Sequence, residues 1–559
     1  MLLILTNVYA NEFYPTTILE LQTIVTMGGD GTIEDLKGNE EVKFQTLTFQ
    51  ESPYQTITNL DEKLTINGEI IRPTHTFDEY GNKYANFTIR ENGNFVYEIT
   101  AQIDTKSLIF KIEDYNIGEP KESTQLYTKK SEKIESESQE ILTLAKNKLY
   151  KKGYIETVND AVFWVNDYVE YAKGEEFNKY YLLQRSAIQT LMDKKGVCDE
   201  FANLAAGILR AKKVPTRINI GITFDGQEWG NHAWIGTYHE KAGWIASDPT
   251  FRESGFVDAT HIKIGSFADV TESLAKAIYP STTKVTFKAQ TLPQVDVIGK
   301  KYFANVTLSA QPFDLKANQW NELDLKVKNT SSGTLTVPIS IKQNYKDILI
   351  QESTKAVILL PGQEEAIQFR VYPNITLKSG EMAKGNITFN SLTKPYEVEM
   401  TINPSSAKDN GIVRVKDITP IATIDQINIA TKIANYKSEK VIIDFNASDT
   451  NNNIVWQEEL EAFSEKTFWK TLPLNDAGYL IQITTPTETY KQNIYLEKQS
   501  LVVVKEPERK DTIIQKVEVP VEKNIFDSMQ NNPEILILAL LMGLVTTLLG
   551  LFLVKKQYV

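Results

Sequence analysis

Apolar and polar positions alternate in short runs over residues 11–125, as in Asn86-Phe87-Thr88-Ile89-Arg90 and Asn94-Phe95-Val96-Tyr97-Glu98-Ile99. Gly81, Asn92 and Gly93 interrupt these runs. A period of two broken by turn residues predicts an antiparallel β-domain. From Ser131 the period lengthens. Ile134–Leu149 and Val158–Tyr171 have helical spacing, Arg185–Lys194 continues it, and a further helical stretch starts at Cys198 and runs through Leu209. After Pro215 the alternation returns in Arg217–Thr223, His232–Tyr238 and Gly243–Ala246. Helices followed by strands predict an α+β domain over residues 131–290.

Two further β-rich segments, 300–403 and 411–498, resemble each other. Leu323, Leu325 and Val327 precede Asn329 and then Leu335–Ile341; Ile427, Ile429 and Ile433 precede Asn435 and then Val441–Phe445. Each reads as strand, turn, strand, and about seven such strands per unit would make an immunoglobulin-like sandwich. Unrelated β-domains sharing generic alternation remain the alternative, and in either case the segments read as spacers. Residues 501–533 are charged and carry Pro507, Pro520 and Pro533, which predicts a semi-extended stalk.

Ile535–Val554 is an uncharged apolar run. As a helix it spans about 30 Å, the thickness of a hydrocarbon core. Lys555 and Lys556 follow at once and predict a cytoplasmic tail at 555–559. The expected location is therefore the cell membrane, single-pass, with the large N-terminal region outside the cytoplasm. Residues 1–10 read as a possible signal-peptide remnant, apolar at Leu2–Leu5 and ending in Ala10. Asn-x-Ser/Thr sites at Asn86, Asn305, Asn329, Asn374, Asn386 and Asn446 permit glycosylation of an external protein.

The 559 residues exceed one compact core and suggest roughly three to five domains. A formal net charge of −12 without a long basic run argues against a nucleic-acid partner. A single span offers no pathway for a transporter or channel. The chain holds one cysteine, Cys198, which excludes an intrachain disulfide framework and a Cys-rich zinc site. No cofactor is expected, and no His pair has metal-ligand spacing, although calcium held by carboxylates stays open.

Cys198 lies just after Gly196 and just before the apolar helical stretch. A free thiol has a pKa of about 8.5, and both a helix N-terminus and a neighbouring imidazole lower it. An activated thiolate at Cys198 is therefore expected. His232, in Gly230-Asn231-His232-Ala233-Trp234, follows a turn and starts a strand. Asp248, in Gly243-Trp244-Ile245-Ala246-Ser247-Asp248-Pro249-Thr250, is a candidate to hold the imidazole in one orientation. A strand pair joined by the turn from Glu240 to Gly243 would set Asp248 beside His232.

Gly-x-Cys at a helix start, His-x-Trp on a strand and Gly-Trp-x-x-x-Asp-Pro-Thr together resemble the transglutaminase-like (papain-like) superfamily core, most closely from Ser186 to Thr250. The resemblance implies Cys198 as nucleophile, His232 as base and Asp248 as orienting carboxylate. It further implies acyl transfer on peptide or protein amides through a thioester, resolved by water in a protease or amidase and by an amine in a transglutaminase. The backbone N–H of Cys198 is expected to donate to the oxyanion. For a second donor Tyr180, Tyr181 and Gln184 stand equal. Trp234 and Trp244 read as core residues flanking the site, and Asp199 and Glu200 as first-turn helix charges. His239 and His261 are expected to face solvent, and His75 to be incidental. The competing reading is a non-catalytic surface adhesion or scaffold protein.

Overall fold

The computed structural model describes residues 18–496, apart from 111, 113, 152, 227, 270–274, 290–292, 343–344, 406–409, 424–425, 450–451 and 476–477. The expected segments 1–10, 501–533, 535–554 and 555–559 lie outside the described residues. Among those described, no helix is long and apolar enough to cross a membrane.

The chain is a strongly β-rich, multidomain assembly. In its first unit the long strand Ile18–Glu34 pairs antiparallel with Gly93–Lys106, which pairs in turn with Gln55–Ile66. A second sheet joins Val42–Leu47, Lys83–Ile89 and Thr74–Phe77. Alternate residues of these strands, including Phe44, Phe87, Phe95 and Ile99, meet in a buried core. The other edge of Ile18–Glu34 is covered by Lys284–Ala289 and Gln294–Tyr302. Lys284–Ala289 falls within the span assigned by periodicity to the α+β domain, but its partner lies about 250 residues earlier. Local alternation carries no record of which sheet a strand joins.

The α+β unit opens with α1 (Gln139–Lys148), α2 (Tyr154–Tyr168), α3 (Glu175–Leu183), α4 (Ala187–Asp193) and α5 (Cys198–Ala211). Ser138 caps α1, accepting from the N–H of Ile141, and Ser186 with Gln189 forms a capping box on α4. The sequence pattern passes over α3 because only Tyr180 of its residues is buried, so its apolar stripe is too thin to register. α5 is buried on almost all sides, as a helix rich in Ala and Leu at the centre of a domain should be. It packs on an antiparallel sheet ordered Gly243–Ser247, Trp229–His239, Thr216–Phe224, Ile262–Phe267. Arg210, near its end, is buried and donates to the carbonyls of Thr216, Lys129 and Ala268, tying the helix to the sheet.

Two two-sheet β-units complete the described chain. The first pairs sheets built from Val306–Asn403, and the second from Val413–Ile494. Asn329 and Asn435, the residues that suggested a repeat, do the same work in each. Asn329 is fully buried and its Nδ2 donates to the carbonyls of Gly333 and Leu359. Asn435 donates to those of Glu439, Leu460 and Glu461. Of the glycosylation motifs, Asn374 and Asn386 are exposed, whereas Asn329 is closed off by this role. The last unit is tied back onto the α+β unit through Lys148, which pairs with Asp417 and donates to the carbonyl of Ile418 at 2.7 Å.

Candidate active site

Cys198 is the first residue of α5, and a close approach makes that turn possible. A Cβ on Gly196 would lie 2.3 Å from Cβ of Glu200. Glu200 is fully buried and folds back over the helix start, accepting from the N–H groups of Val197 at 2.7 Å and Arg185 at 2.6 Å. Its role is thus to fasten two backbone segments around the cysteine, beyond a simple first-turn charge. Burial holds its carboxyl up at about 7, against the pull of those N–H donors.

His232 sits on the Trp229–His239 strand, which pairs Ile235 with Ser247 on the next strand across the turn at residues 240–242. That register brings Asp248 beside His232, with Nε2 of His232 2.6 Å from Oδ2 of Asp248. Nδ1 is then the ring nitrogen not committed to the carboxylate. Phe251 stacks on the imidazole with ring centroids 4.8 Å apart, which fixes its plane. Asp248 is fully buried, and its Oδ1 accepts from the N–H groups of Thr250 and Phe251 at 2.7 and 3.3 Å. Burial alone would raise its pKa, but the charge and hydrogen bond of His232, with those of His261, hold it well below the carboxylate range.

The thiol departs from expectation. Burial, followed by the charge of Asp199, pushes the Cys198 pKa well above the ordinary value, and the N–H of Ala233 on Sγ only partly opposes this. Asp199 Oδ1 lies 3.9 Å from Sγ. A preformed thiolate was expected from the helix N-terminus and imidazole, but desolvation and an adjacent carboxylate outweigh them.

Two further corrections concern histidines. His239 is buried, with Nδ1 accepting from the N–H groups of Lys241 and Ala242 at 3.2 Å, and closes the turn. His261 is completely buried and joins the site: its Nε2 lies 3.0 Å from the same Asp248 oxygen that His232 uses. Spacing gave no hint of it, since it reaches Asp248 from the start of another strand. The nearest signal was the run of acidic residues Asp248, Glu253 and Asp258 before a scarce histidine. Trp234 is core, as expected, and Trp244 carries the Arg217 guanidinium over its ring at 4.4 Å. His75 pairs with Glu62 at 2.6 Å in the first unit. Tyr180 packs beside Val197, Tyr181 is exposed, and Gln184 ends α3 in a left-handed conformation.

His232, Asp248 and His261 cluster closely enough for a cation, as do Glu253, Asp258 and His261. Their atoms are already engaged with one another, however. Both imidazoles point Nε2 at Asp248, Thr260 donates its N–H to Asp258 at 2.7 Å, and Asp258 its own N–H to Glu253 at 3.2 Å. This is the pattern of a hydrogen-bonded proton network.

A polar cleft of about 850 Å³ lies between the α+β unit and the last β-unit, with Tyr171, Phe201 and Thr250 on one side and Arg414, Lys432 and Glu465 on the other; Cys198, His232 and Asp248 do not line it.

Residues 143–249 match the family model described as the transglutaminase-like superfamily. Among solved structures the chain is similar to one described as a putative cysteine protease from Cytophaga hutchinsonii. That match is 20% identical, covers 51% of this chain and 95% of the other, and has a TM-score of 0.38. It is also similar to red sea bream transglutaminase, at 10% identity over 82% of this chain and 95% of that one, with a TM-score of 0.20. No curated protein matches the chain in sequence.

Proposed function

With residues 143–249 a transglutaminase-like core of the papain-like cysteine-enzyme type, we propose that the chain is a cell-surface acyl-transfer enzyme acting on peptide or protein amides. Cys198 is the nucleophile, His232 the base and Asp248 the orienting carboxylate. The reading is carried by one observation: His232 is held on buried Asp248 at 2.6 Å within the matched core that places Cys198 at the start of α5.

Burial of the thiol sets the order of events. As sulfur attacks the amide carbonyl, the thiol proton passes to Nδ1 of His232, and Asp248 stabilises the imidazolium that forms. The N–H of Cys198, at the start of α5, faces the developing oxyanion. His232 then returns the proton to the departing amine, the C–N bond breaks, and a thioester remains on Cys198. Water or a second amine resolves it. The 850 Å³ cleft beside the core, lined by aromatic and charged side chains, offers a polypeptide substrate a place to lie. Residues 535–554 anchor the chain, and the two C-terminal β-units, read as immunoglobulin-like, space the core from the membrane.

The test is acylation by an activated ester. Full-length protein in detergent with p-nitrophenyl acetate should release one equivalent of p-nitrophenolate in a burst and acquire an acetyl group at Cys198. Cys198→Ala should abolish both, and His232→Ala should slow them by about a hundredfold or more. The second reading, a non-catalytic surface scaffold, draws on the burial of the thiol. Acylation that is absent, or indifferent to His232→Ala, leaves that scaffold.

A further inference from the structure

We propose that the face of the core sheet turned toward the first β-unit binds a small monovalent anion of the halide class, held by Arg217, Lys263, Trp234 and Tyr54. The site goes beyond the catalytic reading and does not depend on it.

Its position follows from the strand registers. In the Thr216–Phe224 strand, Ile218 packs in the core beside α5, so Arg217 and Asn219 on either side of it face the other way. Asn219 stands opposite Trp234 on one neighbouring strand and Ser266 on the other, and Arg217 stands opposite Gly236. The first unit closes this face. Gln55 donates to the carbonyl of Lys263 and accepts from its N–H, both at 2.8 Å, and Asn82 treats Ser266 in the same way. Tyr54, next to Gln55, brings its hydroxyl beside the Trp234 indole.

This closure buries a set of donors with nothing to accept them. Lys263 is 6% exposed, and its ammonium has the Ser266 hydroxyl as a contact at 3.4 Å. That hydroxyl is itself spent on Oδ1 of Asn219 at 2.8 Å. Nε of Arg217, Nε1 of Trp234 and the hydroxyl of Tyr54 are buried without a hydrogen-bond partner among the described residues. A Cβ on Gly236 would lie 3.1 Å from Nδ2 of Asn219 and 3.2 Å from Nε of Arg217, so both groups lie over that glycine.

Arg, Lys and Trp side chains only donate, so they cannot serve one another. Nor does a carboxylate serve them. Among the described residues neither cation forms an ion pair. The titratable groups that act on Arg217 are Tyr54 and Tyr127, and the one that acts on Lys263 is Arg217. A buried charge is paired or it is costly. Water accepts hydrogen bonds but brings no charge, whereas one anion does both. Single donors from four segments suit a spherical ion, and burial penalises a doubly charged phosphate more steeply than a halide. The site backs onto the candidate active site through Trp234, whose ring stacks on His232 with centroids 6.0 Å apart.

The experiment is thermal unfolding of the full-length protein in detergent at pH 7 and fixed ionic strength, with sodium gluconate replaced stepwise by sodium bromide. Bromide should raise the wild-type midpoint by roughly 5 °C and the rise should level off, as the filling of a site requires. Lys263→Met and Arg217→Gln should each lose most of that rise. In gluconate, Lys263→Met should melt above the wild type because it deletes an unpaired buried cation, and bromide should narrow the gap. A rise that never saturates, or one that both variants keep in full, is a general salt effect and overturns the proposal, as does no rise at all. Where the variants fail to fold, wild-type crystals soaked in bromide decide. An anomalous peak within hydrogen-bonding distance of Nζ of Lys263 and Nε1 of Trp234 supports the site, and its absence there overturns it.

Discussion

Nε2 of His232 stands 2.6 Å from Oδ2 of Asp248, and both side chains are buried within the α+β unit. The hairpin register sets Asp248 on the strand beside that of His232. Asp248 is also the acceptor for His261 and for two backbone N–H groups, so its removal strands several buried donors at once. Asp248→Ala should destabilise the protein by about 3–5 kcal/mol, read from denaturant unfolding, and abolish acylation of Cys198.

The raised thiol pKa gives a pH dependence with a definite sign. A thiol pushed upward by burial and Asp199 holds little thiolate at neutral pH, so alkylation of the single cysteine should climb steadily above pH 8 with no plateau below it. Asp199→Asn removes the nearest charge opposing the thiolate. Its labelling rate at pH 7 should rise severalfold, and an unchanged rate would show that burial alone sets the thiol.

Gly196 allows Glu200 to fold over the helix start. Gly196→Ala would drive its Cβ into the Glu200 side chain at 2.3 Å and displace the acceptor of Val197 and Arg185. A loss of about 2 kcal/mol in stability is expected, with a larger loss of acylation than of folding, because the cysteine turn is what shifts.

Lys263 tests the other buried charge near the site. It is buried, its nearest polar contact is the hydroxyl of Ser266 at 3.4 Å, and burial with the Arg217 charge lowers its pKa to about 7. A lowered folded-state pKa means the unfolded chain binds more protons, so this group's contribution to stability rises as pH climbs from 7 toward 10. Lys263→Met should stabilise the protein at pH 7 by about 2–4 kcal/mol and flatten that rise, as followed by thermal unfolding at several pH values.

Asn329 links two carbonyls across its turn from a fully buried position. Asn329→Ala should cost about 2–3 kcal/mol in denaturant unfolding. Glycopeptide mass spectrometry of the chain routed through a glycosylating host's secretory pathway should find Asn329 bare whatever the state of exposed Asn374 and Asn386.

Sequence alone determined what is local. Gly196 before Cys198 and the apolar run after it specify a cysteine at a helix start, because a tight turn and a buried helix leave their marks within a few residues. The alternation on either side of the turn at 240–242 specifies the hairpin, and its register carries Asp248 to His232. Asn329 and Asn435 were legible as similarly placed turn residues between strands for the same reason. Tertiary structure decided what depends on distant partners. Burial and Asp199 push the Cys198 pKa up where a lowered one was expected, since desolvation is a property of everything packed around a group. The return of Lys284–Ala289 to the first sheet and the arrival of His261 at Asp248 join residues that no periodicity relates. A chain position records which face of an element is apolar; which charges meet inside the protein is fixed only when the elements close on one another.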